Sequence, residues 1–118
     1  MTDSTPQALD SATFDQAIAE GVVLVDFWAP WCMPCQMLKP VLKELASGFA
    51  DRARIVTVDT DQHADLAQRY GVRALPTLVL FKDGRLARQF VGLTKFDRLA
   101  RAIEELLQAQ PNQPDTPA

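Results

Sequence analysis

The sequence predicts an α/β protein whose central mixed β-sheet carries helices on both faces. Three observations lead to this prediction. Short apolar runs rich in β-branched residues alternate with stretches whose apolar residues recur at helical spacing. Strands separated by helices pair in parallel, whereas the Asp83-Gly84 dipeptide between two further apolar runs is a strong hairpin signal and adds an antiparallel edge. The 118 residues suit one domain with a single core.

A short first helix is predicted over residues 14–20, where the apolar residues share one face. Thr13 and Gln16 have the spacing of a capping box at the start of this helix, and Gly21 ends the helical pattern. The pattern leaves open whether a short strand precedes the helix.

Two buried strands and a long helix form the centre of the predicted fold. Residues 22–29 are an almost unbroken apolar run, which suits a strand covered on both faces. After a pair of cysteines, apolar residues recur at helical spacing as far as Gly48. Residues 54–59 are typical of a second buried strand.

The second half of the chain predicts a helix, a hairpin and a final helix. Residues 63–70 form a short helix that Gly71 terminates. Residues 77–82 and 86–91 are the two strands of the hairpin. Thr94 is expected to cap the last helix. The apolar stripe of that helix consists of Phe96, Leu99, Ala100, Ile103, Leu106 and Leu107.

Composition and the chain ends narrow the classes of function. Twelve basic against fifteen acidic residues give a net charge of -3, so we expect no nucleic-acid partner. No apolar run approaches the roughly 20 residues of a membrane span, and the first residues lack a secretory signal pattern, so we expect a cytoplasmic protein without a membrane partner. Residues 1–110 are the predicted domain, and the Pro-rich residues 111–118 a disordered tail.

Both cysteines fall in one four-residue stretch, Cys32 to Cys35. A bridge between them closes a very small loop, so it would stabilise the fold little. A structural zinc site needs four ligands, and the one histidine, His63, lies in a separate segment. The acidic residues Asp59, Asp61 and Asp65 are interpreted as a solvated loop rather than a cation site. No metal is therefore expected, and redox chemistry is favoured.

The position of the cysteine pair between a strand and a helix suggests different roles for its members. Cys32 falls at the helix N-terminus, where unpaired backbone N–H groups and the positive end of the helix dipole favour a thiolate. Cys35 lies inside the first turn and should be more buried and less reactive. We therefore expect an exposed Cys32 to attack a partner's disulfide and Cys35 to resolve the mixed disulfide.

A series of motifs in order, over about a hundred residues, resembles the thioredoxin family of bacterial type. The motifs are Val25-Asp26-Phe27-Trp28-Ala29, Trp31-Cys32-x-Pro34-Cys35, Lys39-Pro40, Tyr70-Gly71-Val72, Pro76-Thr77, Phe81-Lys82-Asp83-Gly84 and Val91-Gly92. The resemblance implies a thioredoxin fold and reduction of disulfides in protein substrates. It also implies re-reduction by a thioredoxin reductase with electrons from NADPH, a Cys32–Cys35 disulfide as the redox centre, and no bound cofactor. We also expect a monomer.

Asp26 is the odd residue in an otherwise apolar strand. Taken alone, it suits a strand-end carboxylate that reaches solvent or caps a backbone group. The resemblance implies instead a buried carboxyl behind the cysteine pair that takes or gives the proton of Cys35. Burial raises the pKa of a carboxyl towards the range where it can act as a base near neutrality.

The resemblance also implies a surface that binds substrate. Sequence alone favours a trans bond before Pro76, because few X–Pro bonds are cis, but the resemblance implies a cis bond opposite Cys32. The loop would then offer unpaired backbone groups at Ala74 and Leu75 to an extended substrate segment. Gly92 is either a bulge or a place where a partner's backbone comes close, and the resemblance favours the latter. Trp31 is expected to form a partly exposed wall of this groove, and Trp28 to be mainly structural.

Three positions depart from the common thioredoxin pattern. Met33 stands where glycine is usual, Gln36 where lysine or arginine is common, and Thr57 where a lysine often approaches the buried aspartate. The loss of both cations should make the thiolate and the carboxylate harder to form. Met33 and Pro34, between the cysteines, are expected to tune the redox potential, and Met33 adds an oxidisable apolar side chain to the surface.

Two other functions compete with a disulfide reductase. An oxidant or isomerase uses the same chemistry, but such proteins usually carry a histidine between the cysteines, and Met33-Pro34 lacks it. A binding module would use the groove of the fold without redox chemistry. The intact cysteine pair and Asp26 argue against that function, because a pure binding protein needs neither.

Overall fold

The computed structural model describes residues 5–109, which fold around a five-stranded mixed sheet. The elements in chain order are β1 (Gln7–Leu9), α1 (Phe14–Ile18), β2 (Val22–Trp28), α2 (Met33–Gly48), β3 (Ala53–Asp59), α3 (Ala64–Arg69), β4 (Thr77–Lys82), β5 (Arg85–Val91) and α4 (Phe96–Gln108). The strand order is β1-β3-β2-β4-β5. The first three strands of the chain are parallel, and β4 and β5 form the antiparallel edge. The predicted tail, residues 111–118, lies outside the described residues.

Strand β2 is the centre of the sheet because it is paired along both edges. Its parallel partner is β3 and its antiparallel partner is β4. Six of its seven residues are buried, as expected of an apolar run that is covered on both sides. Asp26 lies inside this strand, opposite Thr57 of β3 and Leu78 of β4.

Alternating side chains of β2 enter two separate cores. Val22 and Leu24 belong to a core formed with α2 and α4, whereas Val23, Val25 and Phe27 belong to a core formed with α1 and α3. The prediction of helices on both faces of a mixed sheet is confirmed. By this alternation, Asp26 lies on the face covered by α2 and α4. Among the described residues, no helix is long and apolar enough to cross a membrane.

The hairpin between β4 and β5 turns at Asp83-Gly84, as predicted. Both residues have positive φ, 50° and 84°, which a two-residue turn of type I′ requires. The turn also contacts the start of β2, because the Asp83 carboxylate accepts from the N–H of Gly21 at 2.8 Å and the Asp83 N–H donates to the Gly21 carbonyl at 2.9 Å. The short strand left open at the beginning of the chain is β1.

Both capping predictions are wrong, since the hydroxyls have other partners. Thr13 precedes α1, but its side chain makes no cap bond. Its hydroxyl donates to the Asp10 carboxylate at 2.9 Å and accepts from the Asp10 N–H at 3.2 Å. Thr94 donates to the carbonyl of Gly92 at 3.0 Å, and α4 begins one residue later than expected, with Lys95 at its N-cap. Local hydrogen bonds of this kind compete with helix capping.

Candidate active site

The cysteine pair lies where β2 leads into α2, and the two sulfurs form a disulfide. Cys32 is the N-cap of this 16-residue helix, with extended backbone angles, and its Sγ accepts from the N–H of Cys35 at 3.2 Å. Pro34 lies in the first turn, where a missing N–H removes no helical hydrogen bond. The sulfur of Cys32 therefore accepts from a backbone N–H of the first turn and lies at the positive end of a long helix.

The two cysteines differ less in their exposed surface than the sequence predicts. Cys32 is 4% exposed and Cys35 1% exposed. The expectation of an openly exposed Cys32 is wrong for the disulfide form. The pair packs with Ala29, Trp28 and Leu75, which cover both sulfur-bearing side chains.

Asp26 is buried beneath the cysteine pair, with 3% of its surface exposed. The interpretation of a carboxylate that reaches solvent is therefore wrong. It lines a cavity of about 370 Å³ together with Cys35. Within the part of the chain that the structure describes, its Oδ1 atom has no hydrogen-bond partner. Burial raises the pKa of Asp26 from 3.8 to about 7, and the charge of Lys39 opposes this rise. The carboxyl can therefore gain and lose a proton near neutral pH.

Lys39 is a residue of this site that the sequence interpretation missed. The absence of a lysine at Thr57 suggested that Asp26 lacks a nearby cation, but the cation comes from α2 instead of β3. Cys35, Lys39 and Lys43 are spaced four residues apart on one face of α2, and all three line the cavity. Helical spacing from Cys35 is the signal that could have identified both lysines.

The loop before β4 lies against the cysteine pair, and the bond between Leu75 and Pro76 is cis, as the resemblance implies. The carbonyl of Ala74 is not unpaired, because the Thr77 hydroxyl donates to it at 2.6 Å. The expectation of unpaired backbone groups in this loop is therefore wrong for the carbonyl of Ala74. Among residues 5–109, the backbone N–H and carbonyl of Leu75 have no hydrogen-bond partner. Leu75 therefore offers both backbone groups to a ligand.

Gly92 lies beside this loop, since its N–H donates to the carbonyl of Pro76 at 2.8 Å. Its φ of +90° is a conformation that favours glycine. A Cβ atom at this position would meet nothing within 4 Å. The bulge of the hairpin lies at Leu80 and Phe81 instead, so Gly92 is an open position on the rim of the site.

The rim around the cysteines is apolar and exposed. Trp31 is 71% exposed and Met33 68%, and Met37 follows Met33 after one helical turn. The Trp31 ring is held by its Nε1, which donates to the Asp61 carboxylate at 3.1 Å. Val91 and Leu93, which flank Gly92, are the other exposed apolar residues near the loop. The exposed wall expected at Trp31 is present.

The acidic residues of the nearby loop have protein partners. Asp61 accepts from Trp31, Asp59 from the N–H of Asp61, and Asp65 from the hydroxyl of Ser11. In the described part of the chain, no cluster of His, Cys, Asp and Glu has the composition to hold a metal ion.

Comparison with known proteins places this site in a family. A family model described as Thioredoxin matches residues 5–105. A protein named Thioredoxin 1 from Synechococcus elongatus is 42% identical over 106 residues, which cover 88% of this chain and 99% of the relative. The thioredoxin of Bacillus subtilis is 42% identical over 95 residues, 80% of this chain and 91% of the relative. A mutant thioredoxin structure from Halobacterium salinarum has a TM-score of 0.83 at 39% identity and covers 94% of this chain and 98% of its own.

Proposed function

The chain belongs to the thioredoxin family, and on that basis we propose how its residues reduce the disulfides of client proteins. Members of this family are protein-disulfide oxidoreductases that work by dithiol–disulfide exchange, and this chain carries the redox-active pair. The observation that carries the proposal is the Cys32–Cys35 disulfide at the N-terminus of α2, directly above a buried carboxyl. The thioredoxin domain is taken as residues 1–110, supported by the family match over residues 5–105.

In the first step the thiolate of Cys32 attacks one sulfur of a client disulfide. A bond forms between that sulfur and Cys32 Sγ, the client S–S bond breaks, and the other client sulfur leaves as a thiolate. The N–H of Cys35, which donates to Cys32 Sγ in the disulfide form, and the positive end of α2 stabilise negative charge on this sulfur. Cys32 is therefore the nucleophile.

In the second step Cys35 resolves the mixed disulfide. The Cys35 thiol transfers its proton to the carboxylate of Asp26, with which it shares the cavity, and the new thiolate attacks Cys32 Sγ. The bond between Cys32 and the client breaks, and the second client thiolate leaves. Two electrons have then passed to the client, and the protein holds the Cys32–Cys35 disulfide. A carboxyl with a pKa of about 7 is suited to accept this proton near neutrality.

The client segment docks in extended form along the loop before Pro76. Leu75 contributes its free N–H and carbonyl, as in strand addition. Gly92 lets the client backbone come close, and the Trp31 ring forms one wall of the groove. The carbonyl of Ala74 takes no part in pairing because Thr77 occupies it, so the contribution of Ala74 is restricted to its N–H.

The oxidised protein is returned to the dithiol form by a thioredoxin reductase with electrons from NADPH. This partner is supported by family membership. In this cycle the reductase uses NADPH as its cofactor, and this chain uses its own cysteines as the redox group. We place the protein in the cytoplasm as a monomer, in keeping with this cycle.

Reduction of insulin tests the proposal. The reduced protein with dithiothreitol as donor should precipitate the insulin B chain much faster than dithiothreitol alone. The matched control is the Cys32→Ser/Cys35→Ser double variant, which keeps the groove and lacks the redox pair. A rate equal to that of dithiothreitol alone would contradict the reductase function.

Equilibration with glutathione separates a reductase from an oxidant or isomerase. The two groups differ in reduction potential by roughly 100 mV or more. We expect a reduction potential typical of a reductase, because no histidine lies between the cysteines to stabilise the reduced thiolate. A strongly oxidising potential would instead assign the chain to disulfide formation.

A further inference from the structure

The cavity beneath the cysteines contains two lysines that the exchange chemistry above does not use, beside the carboxyl that it does use. Asp26 presents to it a carboxyl whose Oδ1 lacks a hydrogen-bond partner among the described residues. Two lysines of α2, Lys39 and Lys43, line the same space of about 370 Å³. A buried carboxyl with an unsatisfied oxygen responds strongly to any charge nearby, because little water is present to screen it.

The groups that face Asp26 can be taken element by element. From β3 and β4 its partners in register are Thr57 and Leu78, neither of which ionises. Asp59, two residues beyond Thr57, accepts from the N–H of Asp61. From α4 the core on this face receives only apolar residues, which are Leu99, Ala102 and Ile103 among the fully buried ones. Ahead of β1, Thr5 and Pro6 also line the cavity, and neither side chain ionises. Among residues 5–109, the ionisable groups that line the cavity with Asp26 are therefore those of α2, namely Cys35, Lys39 and Lys43.

The two lysines differ in how they are held. The Nζ atom of Lys39 lies 5.1 Å from the centroid of the Trp28 ring. Trp28 lines the cavity as well and packs against the cysteine pair. An ammonium over an aromatic face is attracted to the ring, so this contact keeps the charge of Lys39 at the mouth of the cavity. Lys43 lies one turn further from Cys35, and the charge that lowers the pKa of Asp26 is that of Lys39.

We propose that Lys39 is a positioning residue for disulfide exchange, which holds a positive charge at the cavity mouth and so sets the pH range in which Asp26 can accept the proton of Cys35. The inference rests on the role proposed above for Asp26. The proton moves from Cys35 Sγ to the Asp26 carboxylate and then to solvent. Lys39 itself gives up no proton. In this chain the helix thus supplies the cation that Thr57 cannot.

The experiment compares four variants by two measurements. The variants are Lys39→Gln, Lys39→Arg, Lys43→Gln and Lys39→Gln/Thr57→Lys. The first measurement is the titration of the Asp26 side-chain carboxyl by ¹³C NMR, and the second is the pH profile of insulin reduction. Lys43→Gln is the matched control, because it removes an equal charge from the same helix face and the same cavity.

Lys39→Gln should raise the titration midpoint of Asp26 by about 0.5–1 pH unit, the lower end of what one opposite charge achieves, because Lys39 is exposed. The acid limb of the activity profile should move to higher pH by the same amount. Activity one unit below the midpoint should then fall by about three- to tenfold. Lys39→Arg should behave like the parent, and Lys43→Gln should shift the midpoint less than Lys39→Gln. Thr57→Lys should restore the parent midpoint from the neighbouring strand.

The outcomes separate this inference from the proposed function. If Asp26→Asn flattens the acid limb but Lys39→Gln moves neither the midpoint nor the limb, the role of Lys39 is overturned and that of Asp26 stands. If Lys43→Gln shifts the midpoint as much as Lys39→Gln, a general surface charge is responsible, and the assignment to Lys39 is wrong. If Asp26→Asn leaves the pH profile unchanged, both the proton acceptor and its positioning residue are overturned.

Discussion

The two faces of β2 are built differently, although they alternate along the same seven residues. On the face towards α1 and α3, β2 contributes Val23, Val25 and Phe27 to a core that four aromatic rings close. The rings of Phe14, Phe27, Tyr70 and Phe81 lie with centroids 5.4 to 6.4 Å apart. On the face towards α2 and α4, the strand places Asp26 beside a cavity.

The two faces of β2 differ in what lies against the strand. The four rings pack against one another in the first core, and Leu75 joins that core to the cysteine pair. The second face encloses a cavity that a buried carboxyl, a cysteine and two lysines line together. The chemistry proposed for this chain therefore lies where one polar residue interrupts an otherwise apolar strand.

The largest expected effect is on activity, and it concerns the cysteines above the second face. Cys32→Ser should abolish attack on disulfides, because no thiolate remains at the helix N-terminus. Cys35→Ser should trap long-lived mixed disulfides with clients, because the resolving thiol is missing. Non-reducing gels after incubation with a disulfide-bonded client measure both. Faster labelling of Cys35 than of Cys32 by iodoacetamide in the native reduced protein would reverse the assignment.

A cavity made in the aromatic face should cost stability without touching the chemistry. Phe27 is fully buried, so Phe27→Ala should lower the free energy of unfolding by about 3–5 kcal/mol. The loss should be the same at pH 5 and pH 8, because none of the residues that form that core carries a carboxyl or an imidazole group. Denaturant titration at both pH values checks this. A loss that changes with pH would show that the two faces are coupled.

Asp26→Asn should raise stability and lower activity, the opposite of a structural residue. The unfolded carboxyl loses its proton near pH 3.8 and the folded one near 7. The folded state therefore keeps a proton that the unfolded state releases, so stability falls as pH rises through this window and is level above it. The charged form costs up to about 4 kcal/mol at pH 8, and Asn avoids that cost.

Denaturation of Asp26→Asn and of the parent at pH 8 and pH 4 measures the effect. The variant should unfold at higher denaturant at pH 8, and most of the difference should disappear by pH 4, where the folded carboxyl is protonated and the unfolded one partly so. Insulin reduction by the variant should be slower, since Cys35 loses its proton acceptor. If the parent is more stable than the variant at pH 8, Asp26 is a structural carboxylate whose charge the fold stabilises.

The smallest expected effect is that of Met33→Gly. Met33 is 68% exposed and belongs to neither core, so the variant should lose no more than about 1 kcal/mol of stability, the cost of glycine in a helix. Its position between the sulfurs should still shift the redox potential modestly, which equilibration with glutathione measures. Met37→Ala is a suitable control, because it removes an exposed methionine one turn away. A loss of several kcal/mol would show that Met33 packs like a core residue.

The strands and the hairpin turn could be predicted from the sequence, whereas the helix caps and the cation of the site could not. The apolar run of β2 and the Asp83-Gly84 turn are local signals, and both predictions are confirmed. The caps at Thr13 and Thr94 failed because each hydroxyl has a nearer partner, which only the backbone path reveals. Lys39 was missed because its spacing of four residues from Cys35 gains meaning only once β2 and α2 are seen to enclose one cavity.

The double pairing of β2 has a consequence for how the site moves. The residues of β2 are hydrogen-bonded to β3 on one side and β4 on the other, so no edge of the strand can fray alone. Amide protons of such a strand are expected to exchange with solvent among the slowest in the domain. The rim around Trp31 and Met33 lies on the surface instead. A ligand that docks at this rim can therefore reorder exposed side chains while the backbone that carries Asp26 stays fixed.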